Sequence, residues 1–280
     1  MVVESTKVYR YGTQSVRQMV KHYVLSVPKS KVKWTEPIVY IHGGAWVGET
    51  HTYDEFSPLI NRLDRQLNNG EYSLSQETTQ IEFFAIDYRL SPEIVHPHHI
   101  LDVLEALHFI HQLGTKQVSV VGHSAGSTMI TQIMEHDKFL TAYDINFTSP
   151  IPSLTSVVFL DGIYSIKTML EEYPSYEQEF VSTAFKTETD WLDNCNMVKD
   201  DLTTEEKATI KAKFERLRSV VVTHSTKDEL LSTKQPETFC SWLESLPFTN
   251  YKYIVQDMGL HNQTYESDVL LSIIVEHVLN

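Results

Sequence analysis

Val118-Ser119-Val120-Val121-Gly122-His123-Ser124-Ala125-Gly126-Ser127-Thr128-Met129-Ile130 reads as a short apolar strand, a tight turn with a serine at its apex, and the opening of a helix. A serine raised on such a turn, between glycines that allow close backbone approach, is the nucleophile elbow of an acyl-transfer enzyme. Gly-x-Ser-x-Gly by itself is common in loops; the strand before it and the helix after it are what make it specific. Ser124 is the expected nucleophile.

Outward from this elbow, similar apolar runs recur at Pro37–Ile41, Ile81–Ile86, Val157–Leu160, Val220–Val222 and Tyr251–Val255. They are near-continuously apolar rather than alternating, as strands of a sheet covered on both faces are. Ile100, Leu101, Val103, Leu104, Leu107, Ile110 and Leu113 fall at helical spacing, and Val269, Leu270, Ile273, Ile274 and Val278 do so near the end. Strand, turn and helix in repetition predict an α/β fold of the α/β-hydrolase kind, a mostly parallel central sheet with helices on both faces. At 280 residues this is expected to be one domain, 1–280. Gln14 to Val24 fits an edge strand or a short helix equally. Between about 162 and 218 the pattern loosens into acidic and aromatic residues, read here as a helical lid-like insertion.

Charge and composition narrow the partners. A formal net charge of −14 disfavours nucleic acid and anionic membrane surfaces. No apolar run approaches the roughly 18 residues of a membrane span, and the first residues lack a secretory pattern, so a cytoplasmic protein is expected. Two cysteines, Cys195 and Cys240, make neither a disulfide framework nor a metal knuckle and read as buried free thiols. His96-Pro97-His98-His99 has the look of a metal cluster but no second pair of ligands, so neither metal nor cofactor is expected.

A serine hydroxyl needs a base, and the base needs an acid to hold its tautomer. In this fold the chain order is serine, acid, histidine. Asp228 lies in the turn just past Val220–Val222, and His261 lies in the loop between the last strand and the last helix. Asp161 competes as the acid, but it precedes the insertion rather than the last strand pair. His224 and His277 are poorly sited as bases, between strand and acid and inside the final helix. For the oxyanion, Ala125 follows the nucleophile, and Gly43 and Gly44 of His42-Gly43-Gly44-Ala45-Trp46 follow the strand ending at Ile41.

With these residues in hand, the chain resembles the kynurenine formamidases (arylformamidases), which carry His-Gly-Gly-x-Trp, and especially the form from budding yeasts. The resemblance runs through Tyr40–Trp46, Asp87–Glu93, Val121–Ser124, Leu160–Ser165, Glu172–Pro174, His224-Ser225, Asp228–Leu231 and Gly259–Asn262, and is poor before about Thr35. It implies hydrolysis of N-formyl-L-kynurenine to L-kynurenine and formate in tryptophan degradation, on the route to NAD. It also implies a small-molecule substrate pocket, with His42, Trp46 and Tyr164 as candidate contributors and the other tyrosines and phenylalanines of the 164–191 stretch as further candidate lining, and is compatible with a homodimer. A broad carboxylesterase with the same triad is the alternative within enzymes. A non-catalytic binding protein on a hydrolase fold is the alternative outside them, disfavoured because all three triad members are present.

Overall fold

The predicted apolar runs are strands of one eight-stranded sheet with the order β1-β2-β4-β3-β5-β6-β7-β8. The computed structural model describes residues 5–26, 36–71, 80–194, 198–199 and 201–280. The strands are β1 (Ser5–Arg10), β2 (Met19–Ser26), β3 (Ile38–Ile41), β4 (Gln80–Asp87), β5 (Gln117–His123), β6 (Ser153–Leu160), β7 (Ser219–Ser225) and β8 (Lys252–Gln256). Strands β4, β3, β5, β6, β7 and β8 run parallel, and β1 and β2 join antiparallel at the β4 edge.

The ambiguous opening segment therefore contributes a strand, β2, and the edge strand β1 was not legible at all. In β2 only alternate stretches are buried, with Val20, Tyr23 and Leu25 inside and Lys21 and His22 partly exposed. β1 is an outer edge with Val8 44% exposed, so it lacks the apolar run that betrays an inner strand.

Side-chain alternation along each inner strand feeds two cores, one on each face. Val120, Val157 and Phe159 pack with Ile100, Val103, Leu104 and Leu107 of the helix His98–Gln112 and with Phe239 and Leu243 of the helix Lys234–Ser245. Their neighbours Val121, Val158 and Leu160 pack on the opposite face with Leu59, Ile60 and Leu63 of the helix Ser57–Asn69 and with Leu270, Leu271 and Ile274 of the helix Asp268–Ile274. A continuous apolar strand is thus satisfied on both sides.

The stretch between β6 and β7 is helical, with an α-helix at Ile166–Glu172, a π-helical turn at Glu177–Val181 and a capped helix at Thr204–Glu215. Cys240 is a buried free thiol, pushed up to about 11 by burial, whereas Cys195 lies outside the described residues. In the histidine run, His96 and His99 are buried and His98 is exposed, and His99 shares a 3.1 Å hydrogen bond with Ser91 Oγ. Among the described residues no helix is long and apolar enough to cross a membrane.

Parallel strands place all their C-terminal ends on one edge of the sheet. Ile41 pairs beside Gly122, His123 beside Leu160, Leu160 beside Thr223 and Ser225 beside Gln256. The loops that follow β3, β5, β6, β7 and β8 therefore emerge together, which is where ligands bind in open α/β sheets.

Candidate active site

Ser124 stands between β5 and the helix Ala125–Met134 with φ 52° and ψ −118°, a conformation that L-residues rarely adopt. The surroundings hold it there: its amide donates to Leu160 O at 2.9 Å and its carbonyl accepts from Ser127 N at 2.9 Å. The helix after it crosses so close to β3 that a Cβ on Gly126 would lie 2.1 Å from Ile41 O. Glycine is obligatory at that crossing.

His261 Nδ1 donates to Asp228 Oδ2 at 2.7 Å, while Asp228 Oδ1 accepts from the amides of Leu230 and Leu231 at 2.8 and 2.9 Å. Both oxygens of Asp228 are thus engaged. Burial works against each charge, but the hydrogen bond and the attraction across the pair prevail: His261 is held above the ordinary imidazole value and Asp228 below the ordinary carboxylate value. With Nδ1 committed as a donor, Nε2 is the atom left to act as a base.

Asp161, the competing acid, is fully buried and placed elsewhere. Its Oδ1 accepts from Ser225 N at 2.7 Å and lies 3.2 Å from His224 Nδ1, and burial, reinforced by the nearby Asp228 charge, raises it. The His224 Nε2 proton goes to Leu231 O at 3.0 Å. Donor atoms of His123, Asp161 and His261, and of Asp161, His224 and Asp228, come within 4.8 Å in each set, and each of these side chains makes at least one hydrogen bond to a neighbour or to the backbone.

The loop after β3 is set by residues that the motif reading did not single out. The single Tyr88 Oη proton is shared between His42 O at 3.1 Å and Gly43 O at 3.0 Å. In a trans peptide the N–H points opposite to the C=O, so tethering these carbonyls turns the amides of Gly43 and Gly44 the other way. Gly44 has φ +87°, and a Cβ there would lie 2.8 Å from His51 Cδ2. His42 is wholly buried, stacked 4.3 Å from Tyr88, with Nε2 3.2 Å from Asp87 Oδ1; Arg17 pairs with the same oxygen at 2.9 Å. His42 therefore shapes the loop from behind.

Two further residues hold His261. Glu229 Oε2 accepts from its amide at 2.9 Å, and His123 Nε2 donates to its carbonyl at 3.1 Å. Burial, with His261 and His51 nearby, holds His123 far below the ordinary imidazole value, so it is neutral and its one proton is the one donated. Nothing in the sequence distinguishes His123 from any other residue at the variable position of the elbow.

A cavity of about 240 Å³ opens on Ser124 and His261 and is lined also by Gly44, Ala45, Ile163, Met169, Phe180 and Leu231. That is just below the roughly 300 to 1,000 Å³ of common ligand pockets, suited to a compact molecule with an apolar body. Trp46 and Tyr164, expected to line the pocket, do not. Trp46 is 1% exposed with its ring edge-on to Phe185 at 5.0 Å, and Tyr164 is 2% exposed and stacked on Phe239 at 4.3 Å. Both aromatics belong to the hydrophobic core instead. Among the described residues, the aromatic side chains that do face the cavity are Tyr176 and Phe180.

Comparison with known proteins agrees with this architecture. A family profile described as BD-FAE matches residues 24–243. A kynurenine formamidase of Scheffersomyces stipitis is 30% identical over 98% of this chain and 98% of that protein, and one of Eremothecium gossypii is 32% identical over 86% of this chain and 92% of that protein. The crystal structure of esterase B from Lactobacillus rhamnosis superposes with a TM-score of 0.70 at 14% identity, covering 99% of this chain and 85% of that one, which is a likeness of fold. With these matches over the α/β-hydrolase fold described above, the chain belongs to the BD-FAE family and, within its relatives, to the kynurenine formamidases.

Proposed function

We propose that this chain hydrolyses N-formyl-L-kynurenine to L-kynurenine and formate, as the names of its yeast relatives suggest. The observation that carries the proposal is the meeting of Ser124, His261 and the Gly44-Ala45 backbone at one small, mainly apolar cavity. A formyl group needs almost no acyl space, and an arylamine leaving group needs an apolar wall.

Ser124 Oγ attacks the formyl carbon while His261 Nε2 takes its proton. The carbonyl oxygen becomes an oxyanion held by the amides of Ala125 and of Gly43 or Gly44. His261 then returns the proton to the aniline nitrogen, the C–N bond breaks, and the formyl group stays on Ser124 as an ester. Water, deprotonated by His261, releases formate and restores the serine. Asp228 keeps Nδ1 of His261 protonated throughout and stabilises the imidazolium formed in each half-reaction.

The helical stretch at about 162–218 acts in this reading as a lid, since Ile163, Met169, Tyr176 and Phe180 from it wall the cavity. The reaction belongs to tryptophan breakdown in the cytoplasm, requires no metal or cofactor, and involves no nucleic acid; assembly as a homodimer is compatible with it. Purified protein given N-formyl-L-kynurenine is expected to release kynurenine, read by its absorbance. A kcat/KM far higher for short p-nitrophenyl esters than for N-formyl-L-kynurenine would replace this reading with a general carboxylesterase.

A further inference from the structure

One face of the turn that overhangs the cavity carries a carboxylate. Tyr176, Glu179 and Phe180 stand at i, i+3 and i+4 and all line the cavity, whereas Glu177 and Gln178 do not. That spacing defines one helical face. The segment Glu177–Val181 is a π-helical turn, the kind of local widening that recurs at functional sites because it re-aims a side chain out of the regular helical order. Its neighbour Phe180 is buried, so Glu179 is held on the cavity side of an anchored turn rather than on a free loop.

The rest of the lining makes this carboxylate distinctive. Among the described residues that wall the cavity there is no lysine or arginine, and Glu179 is the one carboxylate, beside the imidazoles of His51 and His261. His51 is tied through Nδ1 to Glu55, which also accepts from Tyr40 Oη at 2.9 Å. Its Nδ1 is therefore already occupied by Glu55. Glu179 has no such partner in that wall, and the protein as a whole carries a net charge of −14. The field at the mouth draws a cation inward.

Resting on the formamidase reading above, we propose that Glu179 is a specificity-determining residue that binds the α-ammonium group of an amino-acid substrate. The aryl ring lies against Ile163, Met169, Phe180 and Leu231, the formyl group reaches Ser124, and the ammonium meets Glu179. Asn262 and His51, which also line the cavity, are the donors left for the neighbouring carboxylate. The site thus selects an α-amino acid over a plain aryl formamide.

The test measures binding apart from turnover. Calorimetry on Ser124→Ala and on Ser124→Ala/Glu179→Gln uses N-formyl-L-kynurenine and its analogue in which the α-amino group is replaced by hydrogen. The amino compound is expected to bind Ser124→Ala about tenfold more tightly than the analogue, the ratio shrinking with added salt. The ratio is expected to fall to about one in the double variant, since glutamine keeps the size and removes the charge. The same ratio in both proteins, or no preference for the amino compound in Ser124→Ala, overturns the assignment. Turnover by the unmodified enzyme reports separately on the formamidase reading, so the two failures are distinguishable.

Discussion

Asp228 Oδ2 and His261 Nδ1 lie 2.7 Å apart, joining the loop after β7 to the loop after β8. Asp161, one strand earlier, has its Oδ1 occupied by Ser225 N and His224 instead. The two aspartates have different partners, and the proposed mechanism gives them separable roles. Asp228→Asn is expected to lower kcat by about 10³- to 10⁴-fold, because the amide favours the wrong imidazole tautomer. Asp161→Asn is expected to lower Tm while leaving kcat within about tenfold, because it withdraws the charge that orders Ser225 and His224 but touches neither ring nitrogen of His261. A collapse of kcat in Asp161→Asn with Asp228→Asn active would exchange their roles.

The pH profile follows from the sign of the His261 shift. Its value is raised above the model-peptide 6.5, because Asp228, Asp161 and Glu229 outweigh the effect of burial. The base works only when neutral, so kcat/KM falls as pH drops through that raised value, and the acid limb has its midpoint above 6.5. In Asp228→Asn the largest opposing cause is removed and burial dominates. The residual activity should then show its acid limb at lower pH, and an unmoved limb would assign the titration to another group.

Ser124, the proposed nucleophile, sits in a strained backbone conformation. A non-glycine residue in so sparsely populated a backbone region costs of order 1–3 kcal/mol. Ser124→Ala keeps that strain and is expected to abolish hydrolysis with Tm nearly unchanged. Ser124→Gly is expected to abolish hydrolysis and raise Tm by a few degrees, a gain partly offset by the greater entropy of the unfolded glycine chain. Thermal melts of the two variants, run side by side with the activity assay, decide the matter; one tenth of the activity surviving in Ser124→Ala would remove it as nucleophile.

Gly126 and Arg89 test the frame behind the site. Gly126→Ala forces a Cβ to within 2.1 Å of Ile41 O, a backbone atom that cannot yield, so the variant should fail to fold or lose several degrees of Tm. Arg89 donates to Asp102 from Nη2 at 2.6 Å, and Asp102 is wholly buried. Arg89→Met leaves that charge unpaired and is expected to cost about 3–5 kcal/mol in denaturant unfolding. Replacing both partners with apolar residues should recover much of the loss.

The sequence by itself determined what local chemistry and order along the chain encode. Gly122-His123-Ser124-Ala125-Gly126 announced a tight strand-to-helix turn with Ser124 at its apex, and continuous apolar runs announced inner parallel strands, because each depends on residues adjacent in the chain. The order serine, acid, histidine pointed to Asp228 and His261 for the same reason. Only the tertiary structure decided which of the candidate aromatics see the cavity: Trp46 and Tyr164 pack inward, while Tyr176 and Phe180, with Glu179 between them, reach it from the β6–β7 stretch. It also decided that Tyr88, His123 and Glu229 hold the Gly43-Gly44 loop and His261, through hydrogen bonds to backbone atoms. A side chain that binds distant backbone leaves no pattern in the sequence of either partner, since every residue offers the same amide and carbonyl.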